Sequence, residues 1–192
     1  MKKDLIQSMV ETAILVALAV VLDLLCKLIP FFNMPQGGHI SLSMLPIMVI
    51  GFRRGLKYGL IGGFIYSILN FLIDGIVWHL GSIIFDYIIA FTVLGLTGLF
   101  KGKSSSPIKM ALIMFVVCFL RYLSHGFSGA IFFAQYAYIP ESLNWHVEAN
   151  MLPWVYSFVI YNLPYMGLST IFCIVIGILM RPVIFMNLDN AC

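Results

Sequence analysis

Apolar stretches about twenty residues long recur along almost the whole chain, separated by short polar breaks. "ILVALAVVLDLLCKLI" near the N-terminus is one, and "ALIMFVVCFLRYLSHGFSGAIFF" at 111–133 is another. A helix of that length crosses a ~30 Å hydrocarbon layer, and in lipid only helices or closed barrels satisfy every backbone polar group. The runs are too long for barrel strands, so the chain is expected to be an all-α membrane protein. Of its 192 residues 61% are hydrophobic and 10% charged, where a soluble domain is nearer half apolar and a quarter charged. A mean hydropathy of +1.02, spread along the length, leaves no room for a soluble domain. Residues 1–192 therefore read as a single integral-membrane domain.

The first thirty residues begin like a signal peptide, but their apolar run is longer than an h-region and no A-x-A-type cleavage site follows. They read as a retained first helix. Cys26, Cys118, Cys173 and Cys192 show no paired spacing, so neither disulfides nor metal ligation is indicated. The net charge of +3 is not gathered on a soluble face, which speaks against a nucleic-acid partner.

Hydropathy and breakers divide the chain into a six-helix transmembrane bundle, with helices at about 8–28, 41–52, 55–73, 81–100, 108–135 and 152–180. The second is too short to cross unaided: about twelve residues rise ~18 Å, and Pro46 interrupts them. It is expected to be a partial span lining a cavity. Basic residues favour the cytoplasmic side. Lys2, Lys3, Arg53, Arg54, Lys57, Lys101, Lys103, Lys109 and Arg181 share one side of this topology, with Lys27 near the other. Both termini are thus expected inside, and the loops at about 29–40, 74–80 and 136–151 outside. Gly55, Gly59, Gly63 and Ser67 make a small-residue ladder on the third helix, read as tight packing within the chain; Ala13 and Ala17 make a shorter pair on the first.

Ionisable groups at membrane depth cost at least a few kcal/mol each and usually face a protected interior or a water-filled pathway. Asp86 lies about one turn into the fourth helix. Arg121 and His125, four apart, share a face of the fifth with Gly129, which would let a ligand or a backbone come close. From Lys109 they stand ~18 and ~24 Å up the helix, in its outer half. Asn162 falls on the same level, as do ring-bearing residues including Tyr87, Phe133 and Tyr161. One arrangement is an ion pair of Arg121 with Asp86 that serves only packing. The other is a site for a flat, aromatic, partly cationic molecule, recognised by stacking, cation–π contact and a counter-carboxylate.

Catalytic chemistry is not assembled. Ser124 adjoins His125, but adjacent helical positions point apart. His39, His79 and His146 sit in outer loops without metal-binding spacing. "TGLFKGKS" comes within one residue of a phosphate loop, yet Thr97 occupies the first glycine position and the segment joins two membrane spans. The chain reads as a non-enzyme without cofactor, and active transport would need ATP hydrolysis by a partner.

The segments "SLSMLPIMVIGFRRGLKYGLIGGFIYSIL", "DYIIAFTVLGLTGLF", "RYLSHGFSGAIFFAQYAY" and "YNLPYMG", in this order and spacing, resemble the thiamine-specific substrate-binding (S) components of energy-coupling factor (ECF) transporters. The resemblance implies a multi-pass protein of the bacterial plasma membrane that binds thiamine. It implies partners as well: a transmembrane coupling subunit and two cytoplasmic ATPases. By the same resemblance Ala13 and Ala17 face the coupling subunit. Asp86, Tyr87, His125 and Asn162 match ligand-contacting positions, Arg121 stands where a lysine occurs, and Phe133 where a tryptophan stacks on the ligand. Gly37 and Ser41 replace an aromatic and a glutamate of some members. That contact is then either absent or supplied by another outer-loop group, for which Trp78 and His79 are substitutes. Two other readings stay open: an S component for a different flat heterocycle, and a structural membrane subunit.

Overall fold

Gly55 shows how this sequence packs so many helices into so short a chain. Its φ of +89° lies in the left-handed region that glycine enters without strain, so one helix stops there and the next starts at once. The computed structural model describes residues 2–34, 37–75, 79–102, 106–143 and 145–186. Among them are seven helices: α1 (Lys2–Lys27), α2 (Met44–Arg54), α3 (Leu56–Asp74), α4 (Leu80–Phe100), α5 (Pro107–Phe132), α6 (Leu152–Leu179) and α7 (Arg181–Phe185). Five of these, α1, α3, α4, α5 and α6, are long and apolar enough to cross a membrane. The fold is an all-helical, multi-pass membrane bundle.

The short α2 differs from the other helices in its surroundings. All nine residues from Met44 to Phe52 are buried, so its eleven residues form an apolar plug packed against α1, α3 and α4. The expected partial span is present, but its helical residues do not line the cavity; only Ser41, just before it, does.

The glycine ladder closes α3 onto its neighbours. A Cβ on Gly59 would lie 2.5 Å from the Gly95 carbonyl oxygen of α4, and one on Gly63 2.5 Å from that of Phe91. Thr97 Oγ1 donates to the Met48 carbonyl at 2.9 Å, tying α4 to α2. With no hydrophobic drive between helices in lipid, such close backbone approach is what holds them together. At the end of α2, Glu11 of α1 accepts from Arg53 and Arg54, and Arg53 also donates to the Ile184 carbonyl of α7. Ala13 and Ala17 are both exposed on α1, on a face shared with Val10, Ile14, Leu18 and Val21.

Candidate functional site

Two helices break their α-geometry on opposite sides of α5, and both breaks carry polar residues. Ile83–Ile89 of α4 and Tyr156–Asn162 of α6 are π-helical, a widened turn that leaves carbonyls poorly paired and recurs at functional sites. Side chains satisfy some of these carbonyls. Ser124 Oγ donates to the Phe85 carbonyl at 2.5 Å, Tyr122 Oη to Phe158 at 2.8 Å, and Asn162 Nδ2 to Ser157 at 2.8 Å. Ser157 Oγ in turn donates to the Gly126 carbonyl at 2.8 Å. Glycines on α5 make the approach possible: a Cβ on Gly126 would strike the Phe158 ring, and one on Gly129 the Ser157 hydroxyl.

Between these breaks and α1 lies a cavity of about 130 Å³, space for roughly four water molecules at ~30 Å³ each. Asp86, Tyr87, Arg121, His125, Gly129, Phe133, Tyr161 and Asn162 all line it. The sequence anomalies thus converge on one space. Asp86 accepts from His125 Nδ1 at 2.9 Å and from Ser128 Oγ at 2.6 Å. Arg121 does not pair with it directly. Its Nε approaches His125 Nε2 at 3.4 Å, so the imidazole stands between guanidinium and carboxylate, and the guanidinium lies over the Phe91 ring, 4.3 Å from the centroid. The expected Arg121–Asp86 ion pair is therefore replaced by a relay, because His125, one turn beyond Arg121, reaches the carboxylate first. Asn162 is spent on Ser157 and on the Tyr165 hydroxyl, which donates to its Oδ1 at 2.8 Å. Tyr161 Oη donates to the Gly37 carbonyl at 2.6 Å, fastening the loop between α1 and α2 to α6.

His79 does not reach the cavity. Its ring stacks on Phe132 at 4.6 Å and its Nδ1 accepts from the Gly81 amide at 3.0 Å, capping α4. Trp78 lies outside the described residues.

The cavity is also lined by residues that the sequence did not place at the site. Asp23, 4% exposed, Asn70 and His39 line the cavity. Asp23 Oδ1 accepts from His39 Nε2 at 2.9 Å and Ser41 Oγ at 2.7 Å; its Oδ2 accepts from Asn70 Nδ2 at 3.0 Å and pairs with Lys27 Nζ at 3.3 Å. An acid inside "VVLDLLCK" is the same signal that singled out Asp86.

Rings wall the cavity, which holds two carboxylates and a guanidinium, and the described residues include no cluster of three metal-ligating side chains. The profile of the Thiamine transporter protein (Thia_YuaJ) family matches residues 9–186. The chain belongs to this family. It is 33% identical over 179 residues to the thiamine transporter ThiT of Bacillus subtilis, covering 88% of this chain and 86% of that one. With the thiamine transporter ThiT of Lacticaseibacillus paracasei it shares 28% identity over 198 aligned positions, 94% of this chain and 90% of the relative. The solved structure of ThiT from Listeria monocytogenes superposes with a TM-score of 0.69 at 23% identity, covering 94% of this chain and 97% of that one; the fold is shared. Members of the family are transport proteins of the bacterial cell membrane and not enzymes.

Proposed function

We propose that the protein binds and takes up thiamine as the S component of an ECF-type transporter, with ATP hydrolysis supplied by partner subunits. Family membership across residues 9–186 carries this reading. The cavity supports it in chemical terms. Thiamine brings a fixed positive charge on its thiazolium and a flat aminopyrimidine; Asp86 offers the counter-charge, and Tyr87, Phe133 and Tyr161 offer ring faces. His125 holds the carboxylate in place, and Arg121 and Ser128 complete its surroundings. Gly129 gives the ligand access to the α5 backbone, and Asn162 braces the π-helical wall.

In this reading the whole chain works as one domain of six helices with both termini cytoplasmic, α2 counting as the sixth. The exposed face of α1 around Ala13 and Ala17 meets the coupling subunit, where two small side chains let a partner helix lie close. Calorimetric titration of purified protein with thiamine, riboflavin and biotin tests the ligand. Saturable binding of thiamine alone is expected. Binding of another of these vitamins instead moves the assignment to a different heterocycle, and silence with all three supports a structural subunit. Co-purification with the coupling subunit, lost in Ala13→Trp, tests the contact face.

A further inference from the structure

The two histidines of the cavity wall are held by carboxylates in opposite senses. A carboxylate only accepts, so His125 donates from Nδ1 to Asp86, and its Nε2 is the acceptor facing Arg121. Both of its nitrogens are occupied. His39 is reversed: Nε2 lies 2.9 Å from Asp23 and carries the proton, and in the neutral ring this leaves Nδ1 as a lone pair. Among the described residues nothing donates to that nitrogen. The side chain is only 9% exposed and lines the cavity. Three other donors, from Ser41, Asn70 and Lys27, keep Asp23 an acceptor and so fix the tautomer. An open acceptor on a nearly buried ring that lines the cavity can be met by a donor of the molecule that fills it.

We propose that His39 is a further ligand-binding residue, whose Nδ1 accepts a hydrogen bond from an uncharged donor, a hydroxyl or amino group, of the bound molecule. The inference rests on the thiamine reading and adds to it. Thiamine carries one donor of each kind, the hydroxyethyl hydroxyl and the 4-amino group. His39 also answers what takes over at the loop between α1 and α2, where Gly37 and Ser41 offer neither a ring nor a carboxylate.

The test is a titration of the full-length protein with thiamine, with its analogue bearing ethyl for hydroxyethyl, and with its 4-desamino analogue. Wild type is compared with His39→Leu, His39→Lys and His39→Gln. Lysine keeps a donor toward Asp23 and so the local fold, but offers no acceptor; glutamine keeps both. Leucine and lysine are expected to weaken thiamine binding at least tenfold, and glutamine less than threefold. For the analogue lacking the donor that His39 receives, the penalty of both variants should fall below twofold. An equal penalty for all three ligands would mean that His39 only supports the loop, and the proposal would be overturned, as it would by no penalty at all. Failure of wild type to bind thiamine would overturn the ligand assignment together with this inference, whereas binding with uniform penalties overturns this inference alone.

Discussion

Asp86 and Asp23 line one cavity, each with a histidine, yet they are built differently. Asp86 has two partners, His125 and Ser128, both on α5. Asp23 has four, drawn from α1 itself, the loop between α1 and α2, the approach to α2, and α3. The first carboxylate keeps lone pairs open, while the second is used up in joining four parts of the chain. Burial of an acid in a membrane protein thus says little about its task; the number and origin of its donors say more.

The isosteric amide separates the two most sharply. In Asp23→Asn the new NH₂ takes the place of an acceptor for His39 and Ser41 or for Asn70 and Lys27, so two of the four bonds must break or rearrange, and the charge facing Lys27 is lost. A loss of about 3 kcal/mol is expected, in line with breaking a buried charge pair, seen as a fall of roughly 5–10 °C in the unfolding midpoint in detergent. An unchanged midpoint would break the comparison. In Asp86→Asn the Ser128 hydroxyl can turn to accept from the amide, so the midpoint should stay within about 2 °C. Thiamine affinity should drop roughly 10- to 100-fold, the worth of one charged hydrogen bond. Equal affinity in calorimetry would remove Asp86 from the site.

Finer changes sharpen the contrast. Ser128→Ala deletes one donor to Asp86 and should weaken thiamine about fivefold, near 1 kcal/mol, with little effect on unfolding. Ser124→Ala frees only the Phe85 carbonyl, one residue before Asp86. The smallest effect is expected there, less than twofold in affinity and about 1–2 °C in midpoint; a larger loss of affinity would mean that the π-helical turn aims the carboxylate.

Much of this was legible because lipid makes polar residues conspicuous. Asp86, Arg121, His125 and Asn162 stand out in apolar runs, and all four line the cavity. The glycine ladder on α3 was likewise readable, since only close helix contact explains small residues at that spacing. Asp23 carried the same signal. Ser128 gave none, because a serine on a membrane helix is ordinary. Partner choice was harder than location: Arg121 was expected on Asp86, but side-chain reach within α5 gives that place to His125. The π-helical turns had no sequence signature, as their cause is tertiary, a set of hydroxyl and amide donors from α5 and α6 that make the widened turns affordable.

Those turns have a consequence for how the chain tolerates insertion and deletion. A π-helical turn closes over one residue more than an α-helical one, so each holds a surplus residue that the rest of the helix absorbs. Removing one residue from α4 while the widened turn persists would rotate one half of the helix against the other by about 100°. Either Asp86 would leave the cavity or Gly95 would leave Gly59. The length of this segment is therefore fixed as firmly as any side chain in it, and homologous chains that keep both contacts should show no gap there.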